Sequence, residues 1–206
     1  MTRTDIVLYK GAHSDTECAD GQRCLFEWYN WLARQVNTDT RPPGVSPVLH
    51  QFGMALNDRL PDSKRQELAV LLPNGTSPLA GTETDGRDET RGYMALDWLL
   101  RTFAPAWLDL AGLAGEASAL RDFRRVADLA AAQAIRPHVD TASAKASAAW
   151  AAAWDAAGAA AWDAAGAAAW AAARAALAPT IDILQDSAIA LYHEMIRGEW
   201  QATDGV

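Results

Sequence analysis

Residues 151–170 read AAAWDAAGAAAWDAAGAAAW, in the middle of an alanine-rich stretch from Ala142 to Ala178. This stretch holds 24 of the 45 alanines of the chain. Because alanine has the highest intrinsic helix propensity, the sequence predicts one long helix over about 142–177. Pro179 follows, and a proline there is expected to end or kink the helix.

Tryptophans are the large apolar residues of this stretch: Trp150, Trp154, Trp162 and Trp170. Each step of four residues turns the side-chain position by about 40° around a helix, so they wind around it instead of forming one seam. Only four charged residues lie between 142 and 178, and tryptophan is enriched at binding hot spots. Two interpretations follow: the helix packs along its own domain, or it is a contact surface for a partner.

The remaining chain shows apolar residues at helical spacing, which predicts an all-α, compact bundle of six to eight helices. We expect an N-terminal arm over 1–14 and a single helical domain over 15–206. The elements expected in that domain are helices over about 15–36, 47–60, 62–72, 88–103 and 116–135, a chain break at Pro137, the long helix, and a C-terminal helix over about 180–197. Tyr93, Leu96, Leu99, Leu100 and Phe103 are the predicted buried stripe of the helix over 88–103.

Composition excludes several classes of protein. The net charge of −8 and the pI near 4.9 argue against a basic nucleic-acid binder, and two cysteines cannot make a disulfide scaffold. A membrane span through the alanine-rich stretch would bury Asp155 and Asp163, each costing about 3 kcal/mol near the bilayer centre. The N-terminus lacks a signal-peptide pattern, so we expect a cytoplasmic protein.

His13, Cys24 and Glu27 are the residues most suited to chemistry. Cys24 and Glu27 are three residues apart on one helix face, and His13 lies just upstream. Imidazole, thiolate and carboxylate are zinc ligands, so a zinc site is one hypothesis. A cysteine nucleophile with a histidine base is a second, and a buried, purely structural cluster is the third.

Arg65, Asp97 and Arg101 belong to a second polar group. Asp97 precedes Arg101 by four residues, the favourable order for an ion pair on a helix. The group is interpreted either as caps and ion pairs that join helices, or as a pocket for the carboxylate or phosphate of a small ligand.

Several short segments resemble an uncharacterised family of alanine-rich helical proteins from actinobacteria and their phages. The segments that carry this resemblance are Gly11-Ala12-His13, Gly21, Cys24, Glu27, Ser46-Pro47-Val48, Leu56-Asn57-Asp58, Leu60-Pro61-Asp62, Asp85-Gly86-Arg87-Asp88, Asp97-Trp98-Leu99, Pro105-Ala106-Trp107-Leu108 and Pro179-Thr180. The resemblance covers about residues 11–196. It implies an origin and a single fold, but no activity.

The sequence therefore favours a small cytoplasmic accessory protein. It would bind a protein partner or form a homo-oligomer through Trp150, Trp154, Trp162 and Trp170, without a cofactor. The alternative is an enzyme or zinc protein with its site around His13, Cys24 and Glu27. A third hypothesis is a small-molecule binder near Arg65 and Arg101.

Overall fold

A computed structural model of the chain describes residues 6–159 and 166–200. These residues form eight helices and no sheet, which confirms the predicted all-α bundle of six to eight helices. The helices are α1 (Asp15–Ala19), α2 (Leu25–Arg34), α3 (Pro47–Arg59), α4 (Asp62–Arg65, continued by the 3₁₀ turn Gln66–Leu71), α5 (Asp88–Trp98, the π-helical Leu99–Phe103 and Ala104–Leu110), α6 (Ala114–Arg121), α7 (Leu129–Ala159) and α8 (Gly166–Arg197). Within the described ranges, none of them is both long and apolar enough to cross a membrane.

The predicted single helix over 15–36 is wrong, because the chain leaves helical geometry after α1. Gly21 adopts a φ of +87°, a left-handed conformation that glycine tolerates best. Arg23 then accepts a main-chain hydrogen bond of 2.9 Å from Tyr9. This pairing with the N-terminal segment needs extended backbone at Arg23, so α2 begins only after Cys24.

The described residues divide into two compact units. The first unit runs up to Gly92 and resumes at Ala188, and the second unit runs from Tyr93 to Ser187. Because the boundaries fall inside α5 and α8, no linker or change in composition marks them in the sequence. The single domain expected over 15–206 stays a prediction.

The core of the first unit joins α2, α3 and α4 to the end of α8. Its most buried large side chains include Leu25, Phe26, Leu49, Leu68 and Tyr192. Tyr192 donates a hydrogen bond of 2.9 Å to the main-chain oxygen of Leu49. Gly53 makes room for that ring, since a Cβ at this position would lie 2.4 Å from the tyrosine oxygen.

The core of the second unit forms where α5, α6 and α7 pack together. Its buried members are Leu108, Ala117, Leu120, Val126, Ala131, Ile135 and Ala142. The predicted helix over 116–135 is wrong, since α6 ends at Arg121 and α7 begins at Leu129. Asp128 accepts a hydrogen bond of 2.6 Å from the main-chain N–H of Ala131, so it caps the start of a separate helix.

Pro137 was expected to break the chain and Pro179 to end or kink a helix, and both lie inside helices. Pro137 lies within α7, so the predicted break there is wrong, and α8 continues through Pro179. An interior proline costs a helix about 3 kcal/mol. Ala131, Ile135 and Ala142 are buried on either side of Pro137, so their packing offsets that cost. The centre of the helix expected over 142–177 includes residues 160–165, which lie outside the described residues.

Candidate functional site

Glu27 is the centre of the first group of predicted site residues. Its carboxylate accepts hydrogen bonds from the main-chain N–H of His13 (2.7 Å) and of Cys24 (2.7 Å), and His13 Nδ1 lies 2.8 Å from the same group. Only 3% of the Glu27 side chain is exposed, against 8% for His13. His13, Cys24 and Glu27, which were grouped from the sequence, therefore do lie together. Cys24 contacts Glu27 through its main-chain N–H and also through its side chain, which faces the N–H of Glu27 at the start of α2.

The Cys24 thiol is poorly suited to act as a nucleophile. Burial raises its pKa from 9.0 to about 12, so the thiol stays protonated at neutral pH, whereas the nucleophilic form is the thiolate. Among the described residues, no three histidine, cysteine, aspartate or glutamate side chains are grouped to hold a metal ion. The zinc hypothesis for His13, Cys24 and Glu27 therefore stays a prediction.

The raised pKa of Cys24 predicts a loss of stability in alkali. An unfolded thiol ionises above pH 9, whereas the folded one stays protonated until about pH 12. Its stabilising contribution is thus complete below pH 9 and declines above it by up to about 1.4 kcal/mol per pH unit. Urea unfolding at pH 8, 9 and 10 should show this decline.

The matched control for this decline is Cys24→Ala, which lacks the titrating thiol. Its unfolding free energy should fall less between pH 9 and 10 than that of the wild type. Equal slopes for the two proteins would contradict the assignment. The pKa of Cys18 is also raised by burial, but this second thiol is present in both proteins and its contribution cancels in the comparison.

A cleft of about 460 Å³ in the first unit is lined by residues from both predicted groups. His13 and Arg65 border it, together with Lys10, Gln22 and Gln66. Its walls are partly polar and partly apolar, and the two carboxylates among them, Glu17 and Asp62, are matched by the cationic side chains of Lys10 and Arg65. The cleft can therefore admit a small polar molecule, and nothing in its walls selects one charge.

Arg65 holds the end of α3. Its guanidinium donates to the main-chain oxygens of Asn57 (2.5 Å) and Leu60 (2.7 Å) and pairs with Asp62 at 2.6 Å. These are carbonyls that the end of a helix leaves without helical partners. Because the side chain is 3% exposed and donates from each nitrogen, its geometry is that of a structural cap.

Asp97 and Arg101 belong to the second unit, whereas Arg65 belongs to the first. Asp97 accepts a hydrogen bond of 2.7 Å from the main-chain N–H of Val126, and Arg101 lies 3.4 Å from the same oxygen. The predicted pair on one helix is therefore present, and it ties the segment before α7 to α5. A ligand pocket that uses Arg65, Asp97 and Arg101 stays a prediction.

An apolar groove of about 370 Å³ lies in the second unit. Leu99, Phe103 and Trp107 of α5 form one wall, and Val139, Ala142 and Ala146 of α7 form the other. Every lining residue except Ser143 is apolar. Such a groove is suited to apolar side chains of another molecule and offers almost no hydrogen bonds to a polar ligand.

The predicted buried stripe of the helix over 88–103 is wrong, so the sequence did not reveal this groove. Leu99 is 44% exposed, Tyr93, Leu96, Leu100 and Phe103 are half-buried, and Met94 is the buried apolar residue instead. A π-helical turn contains an extra residue and shifts the side chains after it around the axis, and π-helical turns are frequent at functional sites. The spacing of four between Leu99, Phe103 and Trp107 is the sequence feature that could have identified one wall.

Comparisons with known proteins leave the chain without an assigned family. No family model, curated protein or solved structure matches it. The resemblance to helical proteins of actinobacteria and their phages therefore stays a prediction. What the protein does has to be inferred from its own residues.

The four predicted contact tryptophans cannot be placed in this geometry. Trp162 lies outside the described residues, and the description of Trp150, Trp154 and Trp170 does not extend to their side chains. Position 150 nevertheless follows Ala142 and Ala146 of the groove wall at the same spacing of four along α7. Positions 150 and 154 thus follow the groove wall on the same helix, α7.

Proposed function

We propose that this protein is a cytoplasmic accessory protein that self-associates through the groove of the second unit and the Ala/Trp stretch that follows it. The observation that carries the proposal is the groove between α5 and α7, whose lining is apolar apart from Ser143. Burial of apolar surface is the main driving force of protein association. A groove of this kind on one copy suits the apolar side chains of another.

Charge favours a second copy as the occupant. The chain carries a net charge of −8, so two copies repel each other over most of their surfaces. Between 142 and 178 the charged residues are Lys145, Asp155, Asp163 and Arg174, which sum to zero. This neutral stretch is where two acidic copies can approach with the least repulsion.

Sequence composition favours the same occupant. One helix supplies part of a groove at Ala142 and Ala146 and, directly after it, tryptophans that would fill a groove. A symmetric pair of copies needs a surface that is complementary to itself, and this combination provides one. Alanines along the helix would let two backbones approach closely.

The test replaces Leu99, at the exposed edge of the groove, with glutamate. A buried carboxylate without a partner opposes association, so Leu99→Glu should weaken the dimer by at least about tenfold. Leu110→Glu is the matched control, because Leu110 is 45% exposed in the same unit and does not line the groove. Sedimentation velocity over a concentration series measures both dissociation constants.

Two results would overturn self-association through the groove. The first is a wild-type protein that stays monomeric up to about 1 mM, a concentration at which even a weak dimer is populated. The second is an equal loss of dimer in Leu99→Glu and Leu110→Glu, because the groove would then contribute no more to association than the rest of the surface. If the protein is monomeric but binds a different protein, that protein would occupy the groove in place of a second copy.

The alternative function, an enzyme or zinc protein, draws support only from the contact between His13 and Glu27. Such a contact fixes which imidazole nitrogen carries the proton, as in many catalytic sites. However, Glu27 is also bonded to the main chain on both sides of α1, and the Cys24 thiol is protonated. In this arrangement Glu27 holds together the segments before and after α1, a structural role that we call the clasp. It suits that role better than catalysis.

A further inference from the structure

Residues 6–13 run along the first unit as an extended segment, which we call the arm. The side chains of Trp28 and Asn57 donate to the main-chain oxygens of Val7 and Tyr9, both at 2.9 Å. Gln66 bonds Leu8 twice, accepting from its N–H at 2.8 Å and donating to its oxygen at 3.0 Å. Asp58 and Glu27 accept from the N–H groups of Gly11 (2.9 Å) and His13 (2.7 Å).

The arm also alternates in burial, as a strand does. Ile6 and Leu8 are 9% and 1% exposed, whereas Val7 and Tyr9 are 49% and 39% exposed. The main-chain bond from Tyr9 to Arg23 belongs to a parallel bridge between Leu8 and Arg23. Main-chain hydrogen bonds combined with pockets for alternate side chains are how proteins recognise extended peptides.

We propose that the groove around the arm, formed by Arg23, Glu27, Trp28, Asn57, Asp58 and Gln66, is a binding site for an extended peptide with aliphatic residues at alternate positions. The arm is its intramolecular occupant. Five side chains of the helical body form hydrogen bonds with the main chain of the arm. These main-chain groups are common to all peptides. The site therefore selects extended backbone and two buried aliphatic side chains. It is independent of the self-association proposed above.

The arm is joined to the helical body in a way that permits exchange. Gly11 has a φ of +85°, and nothing lies within 4 Å of the position that a Cβ would occupy. Rotation at this glycine can move residues 6–10 of the arm while His13 stays bonded to Glu27 and α1 is undisturbed. The arm is tethered and is therefore present at a high effective concentration. A separate peptide competes well with it only after the binding of the arm to the groove has been weakened.

The experiment uses the full chain with Leu8→Asp, which places a carboxylate where a side chain is now 1% exposed. The probe is a fluorescent peptide with the sequence of residues 6–13, IVLYKGAH. Fluorescence anisotropy should show that Leu8→Asp binds this peptide at least about 100-fold more tightly than the wild type does, because the native arm no longer competes. The melting temperature of the variant should rise with peptide concentration.

Two N-methylated peptides test whether the main chain is recognised. Methylation at Leu8 removes the N–H that Gln66 accepts and should weaken binding by at least about tenfold. Methylation at Val7 is the matched control, because that N–H donates to no residue within the described ranges, and it should change binding little. Equal losses for the two peptides would contradict recognition through the main chain.

The experiment also tests the proposal if Leu8→Asp unfolds the protein. If Leu8→Asp has lost its helical circular dichroism, the peptide should restore it, and Leu8→Ala provides a milder variant for the same titration. Failure of the peptide to bind a folded variant would overturn the proposal. Equal binding to the wild type would overturn it as well, since the peptide would then occupy another surface.

Discussion

Replacing Arg91 with methionine is expected to lower the free energy of unfolding by about 3 kcal/mol, because it leaves the main-chain oxygens of Thr82 and Met195 without their buried donor. It also removes the charged partner of Asp85 and Asp88, whose side chains are 25% and 36% exposed. Arg91 has no exposed surface. Its guanidinium binds both carboxylate oxygens of Asp85, at 2.9 and 2.5 Å, and one of Asp88 at 3.1 Å. It also donates to the main-chain oxygens of Thr82 and Met195, both at 3.0 Å. One side chain thus joins the loop before α5 to the end of α8.

Arg87→Met is the matched control for this prediction. Arg87 lies four residues earlier, is exposed, and donates a single hydrogen bond of 2.7 Å to the main-chain oxygen of Arg197. Its replacement should cost no more than about 1 kcal/mol. Urea denaturation at pH 7 compares the two variants with the wild type. Similar losses for Arg91→Met and Arg87→Met would show that the buried network contributes no more than a surface contact.

Acid titration gives a second readout of the same network. The hydrogen bond from Arg91 holds the pKa of Asp85 below its usual 3.8. A carboxyl with a lowered folded pKa stabilises the protein above the unfolded value and loses that contribution as the pH falls through the folded one. The wild type should therefore lose this stabilisation below about pH 4. Arg91→Met should lose less stability over this pH range, because its Asp85 keeps only the hydrogen bond from the Arg87 N–H and the nearby Arg87 charge.

Helix content could be predicted from the sequence because alanine and the leucine spacing act locally, residue by residue. Helix ends could not, because they depend on packing. Pro137 should have broken α7, but the buried residues around it outweigh the local cost. The first predicted helix failed for the opposite reason. Its break at Gly21 serves a contact between Tyr9 and Arg23, which are 14 residues apart.

The candidate sites show the same division between local and distant contacts. His13, Cys24 and Glu27 could be grouped because only 14 residues separate the first from the last. Arg91 could not be found, because arginine is usually exposed and its bond to Met195 spans 104 residues. Leu99 was misplaced because the buried apolar position over 88–103 is Met94, which the apolar spacing did not single out. Sequence reasoning therefore found the clasp and missed both the buried network and the groove.

Glu27→Gln is the second large effect, and we expect it to cost about 3 kcal/mol of unfolding free energy. The carboxylate of Glu27 faces three donors: the N–H groups of His13 and Cys24, and the imidazole of His13. A glutamine offers one acceptor oxygen and turns an NH₂ group toward the remaining donors. At least one buried main-chain N–H then lacks a partner, which costs about 1–3 kcal/mol by itself. The lost charge-assisted bonds add to that cost.

Glu17→Gln is its matched control, because Glu17 makes the same kind of contacts at the surface. It accepts from the N–H and the hydroxyl of Ser14, both at 2.7 Å, and water can replace either bond. We therefore expect Glu17→Gln to destabilise the protein much less than Glu27→Gln does. Amide hydrogen exchange separates a clasp from a general loss of stability. In Glu27→Gln the amides of His13 and Cys24 should exchange faster relative to those of the α3 core, because only the former lose their acceptor. A uniform acceleration across the first unit would mean that Glu27 stabilises the fold without clasping the arm.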